Sequence, residues 1–264
     1  MNFIIKPSLP DERDYIYRND DSEILRESVD LREWDTIVES QDSLGSCAAN
    51  AITNAYELCV NRMYPEYFTH LSRLFIYYNT RAEFDTINED DGIFLRDGLK
   101  SLAKFGVCAE SLWPYDIDKF NDRPTIECYE DAKKRKILKY QKLNSIYYIT
   151  QVLNNNKPVV FGMTIYDSFM NLNERISTVS FPSRKENNLG GHAMCMVGYD
   201  LEKRLFLAKN SFGSNWGDNG YCWIPFDYIR QEGYDIWTFD IPIQTGELNV
   251  LPKIPSLLLQ KTLL

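Results

Sequence analysis

The longest regular pattern in the chain lies between Ser46 and Met63, a stretch that contains neither proline nor glycine. Its apolar side chains recur at the three- and four-residue spacing of one helix face, which predicts a buried helix. The positions on that face are Ala48, Ile52, Ala55, Leu58 and Cys59. Gly45 permits a tight turn before the helix, and Ser46 is expected to cap its first N–H groups.

Three more helical segments are predicted in the first half of the chain. The apolar pattern indicates helices over about 70–81 and 95–105, and Gly106 ends the second of them. Pro114 then interrupts regular structure. An amphipathic segment over about 126–138 follows.

The second half of the chain changes character, because short runs of β-branched and aromatic residues are now bounded by Gly, Pro, Asn or Asp. Such runs predict strands, and they lie at about 140–148, 159–165, 192–199, 205–209 and 221–225. A helix over about 149–155 is predicted between the first two. Helices followed by mostly antiparallel strands indicate an α+β fold.

This order of elements divides the chain into four predicted regions. Residues 1–29 form an extended arm, 30–125 a mainly helical domain, and 126–242 a mainly antiparallel β domain. Residues 243–264 form a tail for which the sequence suggests no role.

Composition narrows the range of functions. Hydrophobic residues make up 44% of the chain, which is typical of a folded globular protein. A net charge of −9 and a pI near 4.9 offer no basic face to phosphates, so no nucleic-acid partner is expected. No apolar stretch has the length of a membrane span, and no secretory leader is recognisable, so no membrane partner is expected either.

The cysteine content indicates free thiols. Six cysteines are present, but there is no C-x-x-C pair and the chain has only two histidines, so the sequence indicates no metal and no cofactor. We therefore expect an intracellular protein in a reducing compartment such as the cytoplasm. Buried thiols are expected at Cys59, Cys108, Cys128, Cys195 and Cys222, which lie among apolar neighbours.

Cys47 differs from the other cysteines by its place in the first turn of the predicted helix. Free N–H groups and the helix dipole favour negative charge there. A thiol in this position is shifted towards thiolate, its nucleophilic form. The ordinary alternative is one more buried cysteine of the core.

A base and an orienting group for such a thiol are available in the second half. His192 begins an apolar strand after two glycines, and Asn210 ends the next strand. A cysteine nucleophile needs a base within hydrogen-bond reach, and an asparagine can hold that base by accepting one ring N–H. His70 is the rival base, but its helical, aromatic surroundings indicate a structural role. The carboxylates of residues 89–91 are interpreted as a solvated loop rather than a metal site.

Three segments around these residues resemble the papain family of cysteine peptidases. They are QDSLGSC (41–47), GGHAMCMVGY (190–199) and KNSFGSNWGDNGY (209–221). The resemblance spans about Val29 to Pro242 and implies a helical left domain, a β-barrel-like right domain and an active-site cleft between them. It implies that Cys47 is the nucleophile and that His192 is the general base and acid, oriented by Asn210.

Further roles follow from the resemblance alone. Gln41 would donate its side-chain amide to an oxyanion hole beside the backbone N–H of Cys47. Phe212 replaces the family's tryptophan and would shield the hydrogen bond between His192 and its asparagine from water. The candidate substrate-binding residues are Gly92, Gly191 and Trp216.

The sequence departs from the family pattern in its cysteines. Leu44 stands where the family has a disulfide-forming cysteine, and the family's Cys-Asn-Gly-Gly substrate-binding segment is absent. These departures suggest the disulfide-free branch found in bacteria, archaea and large DNA viruses. A viral or virion-associated protein is among the expectations.

The resemblance implies a monomeric enzyme that hydrolyses peptide or protein substrates through a thioester acyl-enzyme, without a cofactor. Two alternatives remain at this point: a papain-like peptide-binding module without turnover, and a thiol amidase or acyl transferase. A binding groove requires none of Gln41, Cys47, His192 and Asn210, so their joint presence favours the peptidase.

The arm is expected to lie against the enzyme. About 29 residues cannot bury a core of their own, but an extended chain of that length can span the molecule. Its apolar anchors are Phe3, Ile4, Ile5, Tyr15 and Tyr17. We predict that residues 1–20 form an extended strap close enough to the cleft to restrict substrate access. A disordered terminus is the alternative.

Overall fold

Helices occupy the first half of the structure, a computed structural model that describes residues 3–19 and 23–242 of the chain. They are α1 (Cys47–Met63), α2 (Arg73–Ala82), α3 (Leu95–Phe105) and α4 (Ile126–Ala132). Short 3-10 turns accompany them at Arg32–Trp34, Pro65–Tyr67 and Ile117–Lys119.

An antiparallel sheet forms the second half. Its strands are β1 (Ser28–Asp30), β2 (Lys139–Lys142), β3 (Val159–Tyr166), β4 (Asn188–Asp200), β5 (Leu205–Lys209), β6 (Tyr221–Pro225) and β7 (Gly233–Asp240). The strand order is β2-β7-β3-β4-β5-β6, and β1 pairs with β4 outside this path. Helices α5 (Ile146–Asn154) and α6 (Phe226–Glu232) and a 3-10 turn at Asp167–Asn171 lie between strands. The predicted α+β fold is confirmed.

Helix α1 lies in the core, where small side chains let it approach the sheet. Every residue from Cys47 to Val60 except Asn54 is buried, and the alanines of this stretch are at most 4% exposed. Helix α1 packs against β4, the strand that contains His192. The thiol at the start of α1 and the imidazole on β4 therefore face a common interface.

Two helix boundaries in the structure differ from the predicted ones. Helix α2 begins at Arg73 rather than near residue 70, because Leu71 takes part in a β-bridge and Ser72 caps the helix by accepting from a backbone N–H. Helix α4 stops at Ala132 rather than near 138. By Leu138 the chain has reached the sheet, where its backbone N–H donates to β7.

The predicted strand over 140–148 is only partly present. Ser145 caps α5 by accepting from the Tyr148 N–H, so the aromatic residues that suggested a strand lie in the first turn of a helix. The sequence pattern also gave no sign of β1, α6 and β7, which are short or lie next to one another without a turn signal. The division into four regions stays a prediction.

The arm follows the surface as an extended strap within its described residues. Ile4 forms a parallel β-bridge with Gly191 of β4, and Ile16 forms another with Lys142 of β2. The arm is thus bound at the edge of the sheet and again beside the strand that carries His192.

Polar contacts attach the middle of the arm to both halves of the molecule. The backbone N–H and the hydroxyl of Ser8 donate to Asp235 Oδ2 of β7, at 2.8 and 2.6 Å. From the helical side, Arg96 of α3 donates to the carbonyl of Leu9 at 2.8 Å and pairs with Asp14 at 3.2 Å.

Within residues 3–19 and 23–242, no helix is both long and apolar enough to cross a lipid bilayer. The tail at 243–264 lies outside the described residues.

Candidate active site

Cys47 is the first residue of α1, at the end of a loop that begins at Gln41. The predicted cap by Ser46 is wrong: its side chain makes no bond to the N–H groups of the helix. The Ser46 hydroxyl instead pairs with the Tyr115 hydroxyl at 2.6 Å and accepts from Asn50 at 3.1 Å. These side-chain contacts fix the position of Ser46, the residue that precedes Cys47.

The thiol of Cys47 is neutral in this state of the molecule. It is 1% exposed, and burial raises its pKa to about 11. Backbone N–H groups oppose this rise, and the largest such effect comes from Ala193, the neighbour of His192. The expected shift towards thiolate is therefore not present, because loss of water around the sulfur outweighs the helix terminus.

His192 is held by Asn210 through one ring nitrogen. Nε2 lies 2.7 Å from Asn210 Oδ1, an oxygen that also accepts from the Ser211 N–H at 2.8 Å. Because the amide oxygen accepts, Nε2 carries the hydrogen and Nδ1 is left as an acceptor. Nδ1 makes no hydrogen bond within the described part of the chain. Burial lowers the pKa of His192 to about 4, so the imidazole is neutral.

Aromatic rings enclose the His192 side chain. The Phe212 ring lies 4.8 Å from the imidazole, centroid to centroid, and the Phe169 ring lies 5.8 Å away at a steep angle. Trp216 is 8% exposed, donates its indole N–H to Phe169 O and packs against both phenylalanines. The Trp216 side chain therefore contacts the two phenylalanines that enclose His192.

Gln41 links the loop before Cys47 to the residue after Asn210. Its side chain is fully buried, with Oε1 accepting from the Ser211 hydroxyl at 2.6 Å and Nε2 donating to Leu44 O at 2.8 Å. A primary amide carries two hydrogens on nitrogen, so one donor remains beyond the bond to Leu44.

Both predicted substrate-binding glycines face the arm. A Cβ on Gly191 would lie 1.9 Å from Ile5 O and 2.0 Å from the Tyr234 hydroxyl. Gly92 has a φ of +74°, and a Cβ there would lie 3.8 Å from Ile4 and 3.9 Å from Ile5. The groove between these glycines therefore has room for an extended backbone, and the arm occupies it.

The arm packs against His192 and against the loop that precedes Cys47. The Phe3 ring lies 5.6 Å from the His192 ring, and Ile4 reaches within 3.3 Å of the position that a Cβ on Gly45 would take. Ile5 is 4% exposed, and its carbonyl accepts from the Tyr234 hydroxyl at 3.1 Å. The arm thus accounts for part of the burial that keeps His192 uncharged, and it lies beside the loop that leads to Cys47.

Three residues of the site were not found from the sequence. Tyr115 donates to Gln41 O at 2.8 Å, and Tyr234 binds the arm's backbone. Glu89 and Asp91 are exposed, in line with the solvated loop that was expected, but Asp90 between them is half-buried and accepts from the Gly45 N–H at 2.9 Å. No local motif marks these residues, because their partners are distant in sequence.

The sequence also raised His70 as a rival base and a metal site as an alternative. His70 precedes α2 instead of lying within a helix, packs against Phe68 and lies 3.8 Å from Glu57. The described residues contain no group of three or more His, Cys, Asp or Glu side chains arranged for a metal ion. All six cysteines are buried free thiols, which was expected for the five other than Cys47.

Comparison with known proteins adds to this geometry. The sequence profile of the papain family cysteine proteases matches residues 25–233. The chain therefore belongs to the papain family of cysteine proteases, and the predicted class of enzyme, a cysteine peptidase, is confirmed.

Similar proteins or folds occur in a virus, a bacterium and an insect. An uncharacterized peptidase C1-like protein of Acanthamoeba polyphaga mimivirus is 36% identical over 89% of this chain and 86% of its own length. Xylellain, a cysteine protease from Xylella fastidiosa, is 34% identical with a TM-score of 0.80, over 90% of this chain and 96% of that one. Digestive procathepsin L 3 of Tenebrio molitor shares the fold at 19% identity and a TM-score of 0.68, over 87% and 74% of the two chains.

Proposed function

We propose that this cysteine peptidase hydrolyses peptide bonds of peptide or protein substrates with Cys47 as nucleophile and His192 as general base and acid. The observation that carries the proposal is the 2.7 Å contact between His192 Nε2 and Asn210 Oδ1. It leaves Nδ1 as the acceptor on a strand that packs against α1, the helix that Cys47 begins. Asn210 thereby orients the base.

The chemistry has two steps that share one base. Cys47 transfers its proton to His192, and the sulfur attacks the substrate carbonyl to form a carbon–sulfur bond. His192 then protonates the leaving amine as the carbon–nitrogen bond breaks. A water molecule, deprotonated by His192, attacks the thioester and releases the acid and the thiol.

Gln41 and the Cys47 backbone N–H supply the oxyanion hole in this proposal. The amide of Gln41 has one hydrogen beyond its bond to Leu44, and both of its polar atoms are held by protein partners. A donor fixed in advance stabilises the developing oxyanion without reorganising during the reaction.

The described form is a covered state of the enzyme. The arm segment 3–8 lies in the groove between Gly92 and Gly191, so a substrate reaches Cys47 only after this segment moves. We propose that displacement of the segment uncovers the site and lets the thiol and imidazole regain pKa values closer to their ordinary ones.

The function is tested by covalent capture and substitution together. We expect an epoxysuccinyl inhibitor of thiol peptidases to form an adduct on Cys47, and mass spectrometry of the digest locates it. Cys47→Ala and His192→Ala are expected to abolish hydrolysis of a fluorogenic peptide, whereas the matched change His70→Ala leaves it intact. Adducts spread over Cys59 or Cys195, or equal loss in His70→Ala without unfolding, would contradict the assignment.

The same measurements separate the proposal from its alternatives. A peptide-binding module without turnover would bind peptides in the groove but show no Cys47-dependent release of product. A thiol amidase or acyl transferase would form the adduct but cleave no internal peptide bond.

A further inference from the structure

The loop before Cys47 has no covalent tie, although the papain-family pattern has a disulfide-forming cysteine at the position of Leu44. All six cysteines are free thiols. A carboxylate contacts this loop instead: the Gly45 N–H points at both oxygens of Asp90, at 2.9 and 3.1 Å. The two residues are separated by 45 positions in sequence, so the contact joins two distant loops.

Asp90 is itself held by helix α2. The hydroxyl of Tyr77 donates to Asp90 Oδ1. Tyr77 is fully buried, and burial together with this hydrogen bond raises its pKa, so it remains a protonated donor. The carboxylate is thus fixed from one side by Tyr77 and from the other by Gly45.

One turn further along α2, Arg81 fixes the rest of the same loop. Its guanidinium donates to the carbonyls of Ile87 at 2.8 Å and Glu89 at 2.9 Å, and it stacks 4.0 Å from the Tyr77 ring. Arg81 is 1% exposed. The loop that contains Asp90 is therefore anchored on a buried helix face, although its outer residues are exposed.

The two joined loops form one wall of the groove. Gly92 follows Asp90 by two residues, and a Cβ on Gly45 would lie 3.3 Å from the Gly92 nitrogen. Ile4 of the arm packs against both glycines. A shift of either loop would therefore move the substrate-facing backbone relative to Cys47.

We propose that Asp90 is a positioning residue that clamps the Cys47 loop to the Gly92 segment through Gly45, with Tyr77 fixing its orientation. This clamp connects the two loops without a covalent bond. It thereby replaces the disulfide that the chain cannot form, because Leu44 stands in place of the family's cysteine. The inference rests on the proposed role of Cys47. Because a displacement of about 1 Å in a reacting geometry costs roughly 10²-fold in rate, a loosened loop has a measurable effect.

The negative charge of Asp90 gives the clamp a signature that a purely structural contact lacks. Asp90 lies close enough to Cys47 to raise the pKa of its thiol, in addition to the larger effect of burial. The substitution Asp90→Asn keeps an acceptor oxygen for Gly45 and Tyr77 but removes the charge. Asp90→Ala removes both.

The kinetic test compares full-length chains that all contain Ile5→Asp, which is chosen to release the arm. We expect Asp90→Ala to lower kcat/KM about 10- to 100-fold, and Asp90→Asn to keep most of it. In Asp90→Asn, the pH midpoint for alkylation of Cys47 by iodoacetamide is expected to fall. The matched control Asp91→Asn changes an exposed carboxylate of the same loop and is expected to change neither quantity.

A second measurement uses the full chain with its arm unchanged and requires no activity. Hydrogen exchange in peptides covering residues 41–47 and 90–94 is expected to accelerate in Asp90→Ala and Tyr77→Phe, but not in Asp91→Asn. Unchanged exchange in Asp90→Ala, or a midpoint in Asp90→Asn equal to that in Asp91→Asn, would overturn the clamp. If every variant and the Ile5→Asp parent were inactive, that result would count against the proposed function. The hydrogen-exchange measurement would still test the role of Asp90.

Discussion

A single hydrogen bond determines which nitrogen of His192 is available for chemistry. Asn210 accepts from Nε2, and the same oxygen is fixed by the Ser211 N–H, so the amide does not rotate freely. The ring is further confined by Phe212 and Phe169. An imidazole confined in this way retains part of its orientation when the asparagine is removed.

We therefore expect Asn210→Ala to reduce kcat by less than His192→Ala does. The remaining aromatic contacts keep the ring near its position, but the tautomer is no longer fixed. Steady-state kinetics in an arm-released full-length chain gives the comparison. Equal, complete loss in both variants, with circular dichroism unchanged, would show that the rings contribute nothing to orientation.

Gln41 and Ser211 provide a graded test of the oxyanion hole. Gln41→Ala removes a donor and is expected to lower kcat about 10²–10³-fold with little change in KM. Ser211→Ala keeps that donor but loses the 2.6 Å bond that orients its amide, so a smaller loss in kcat is expected. A larger effect in Ser211→Ala than in Gln41→Ala would place the important donor elsewhere.

At the level of elements, the sequence was most informative where a long local pattern exists. Helix α1 and strands β5 and β6 have the predicted bounds within a residue, because each has an uninterrupted apolar pattern between breaking residues. The first turn of α5 was missed, since its aromatic residues favour a strand locally and only the Ser145 cap and tertiary packing decide for a helix.

A local sequence pattern also decides which residues of the site can be recognised from the sequence. Cys47, His192 and Asn210 lie in segments with their own sequence signature, so the sequence alone is enough to propose them as site residues. Asp90 and Tyr234 act through partners far away in the chain, and only folding brings those partners together. The extent to which folding buries the thiol was likewise not evident from the sequence, so the direction of its pKa shift was mispredicted.

The attachment of the arm can be tested at its polar anchor on β7. Two donors of Ser8 meet one oxygen of Asp235, and a hydrogen bond to a charged group contributes about 1.5–3 kcal/mol. Ser8→Ala removes one of them, so we expect the uncovered fraction and the rate of peptide hydrolysis to rise about tenfold or more.

Leu9→Ala is the matched control, because the Leu9 side chain is 77% exposed and contributes no polar anchor. Peptide hydrolysis and the melting temperature are measured on the same samples. A lower melting temperature in Ser8→Ala without any rise in activity would mean that the anchor only braces the fold.

For the whole molecule, covering of the groove is linked to protonation. In the covered state the pKa of His192 is lowered to about 4 from its ordinary 6.5, and that of Cys47 is raised to about 11 from 9.0. Displacement of the arm is expected to shift these pKa values part of the way back to their ordinary ones. A covered His192 therefore binds fewer protons than an uncovered one between pH 4 and 6.5, and a covered Cys47 binds more protons than an uncovered one between pH 9.0 and 11.

The pKa shifts of His192 and Cys47 affect the stability of the covered state in different pH ranges. Stabilisation of the covered state by neutral His192 is present above pH 6.5 and is lost as the pH falls towards 4. Stabilisation by the protonated thiol is present below pH 9.0 and is lost as the pH rises towards 11. Each titration changes the equilibrium by at most about tenfold per pH unit. The arm is accordingly expected to bind most tightly between about pH 6.5 and 9.

Fluorine NMR of the full chain with a fluorinated Phe3 measures this equilibrium, because that ring contacts His192 in the covered state. We expect the signal of the covered state to decrease on both sides of the window. In His192→Gln the decrease of this signal at acid pH should disappear, while the decrease at alkaline pH remains. In Cys47→Ala the decrease at alkaline pH should disappear, while the decrease at acid pH remains. A decrease at acid pH that persists in His192→Gln would show that a group other than His192 controls uncovering.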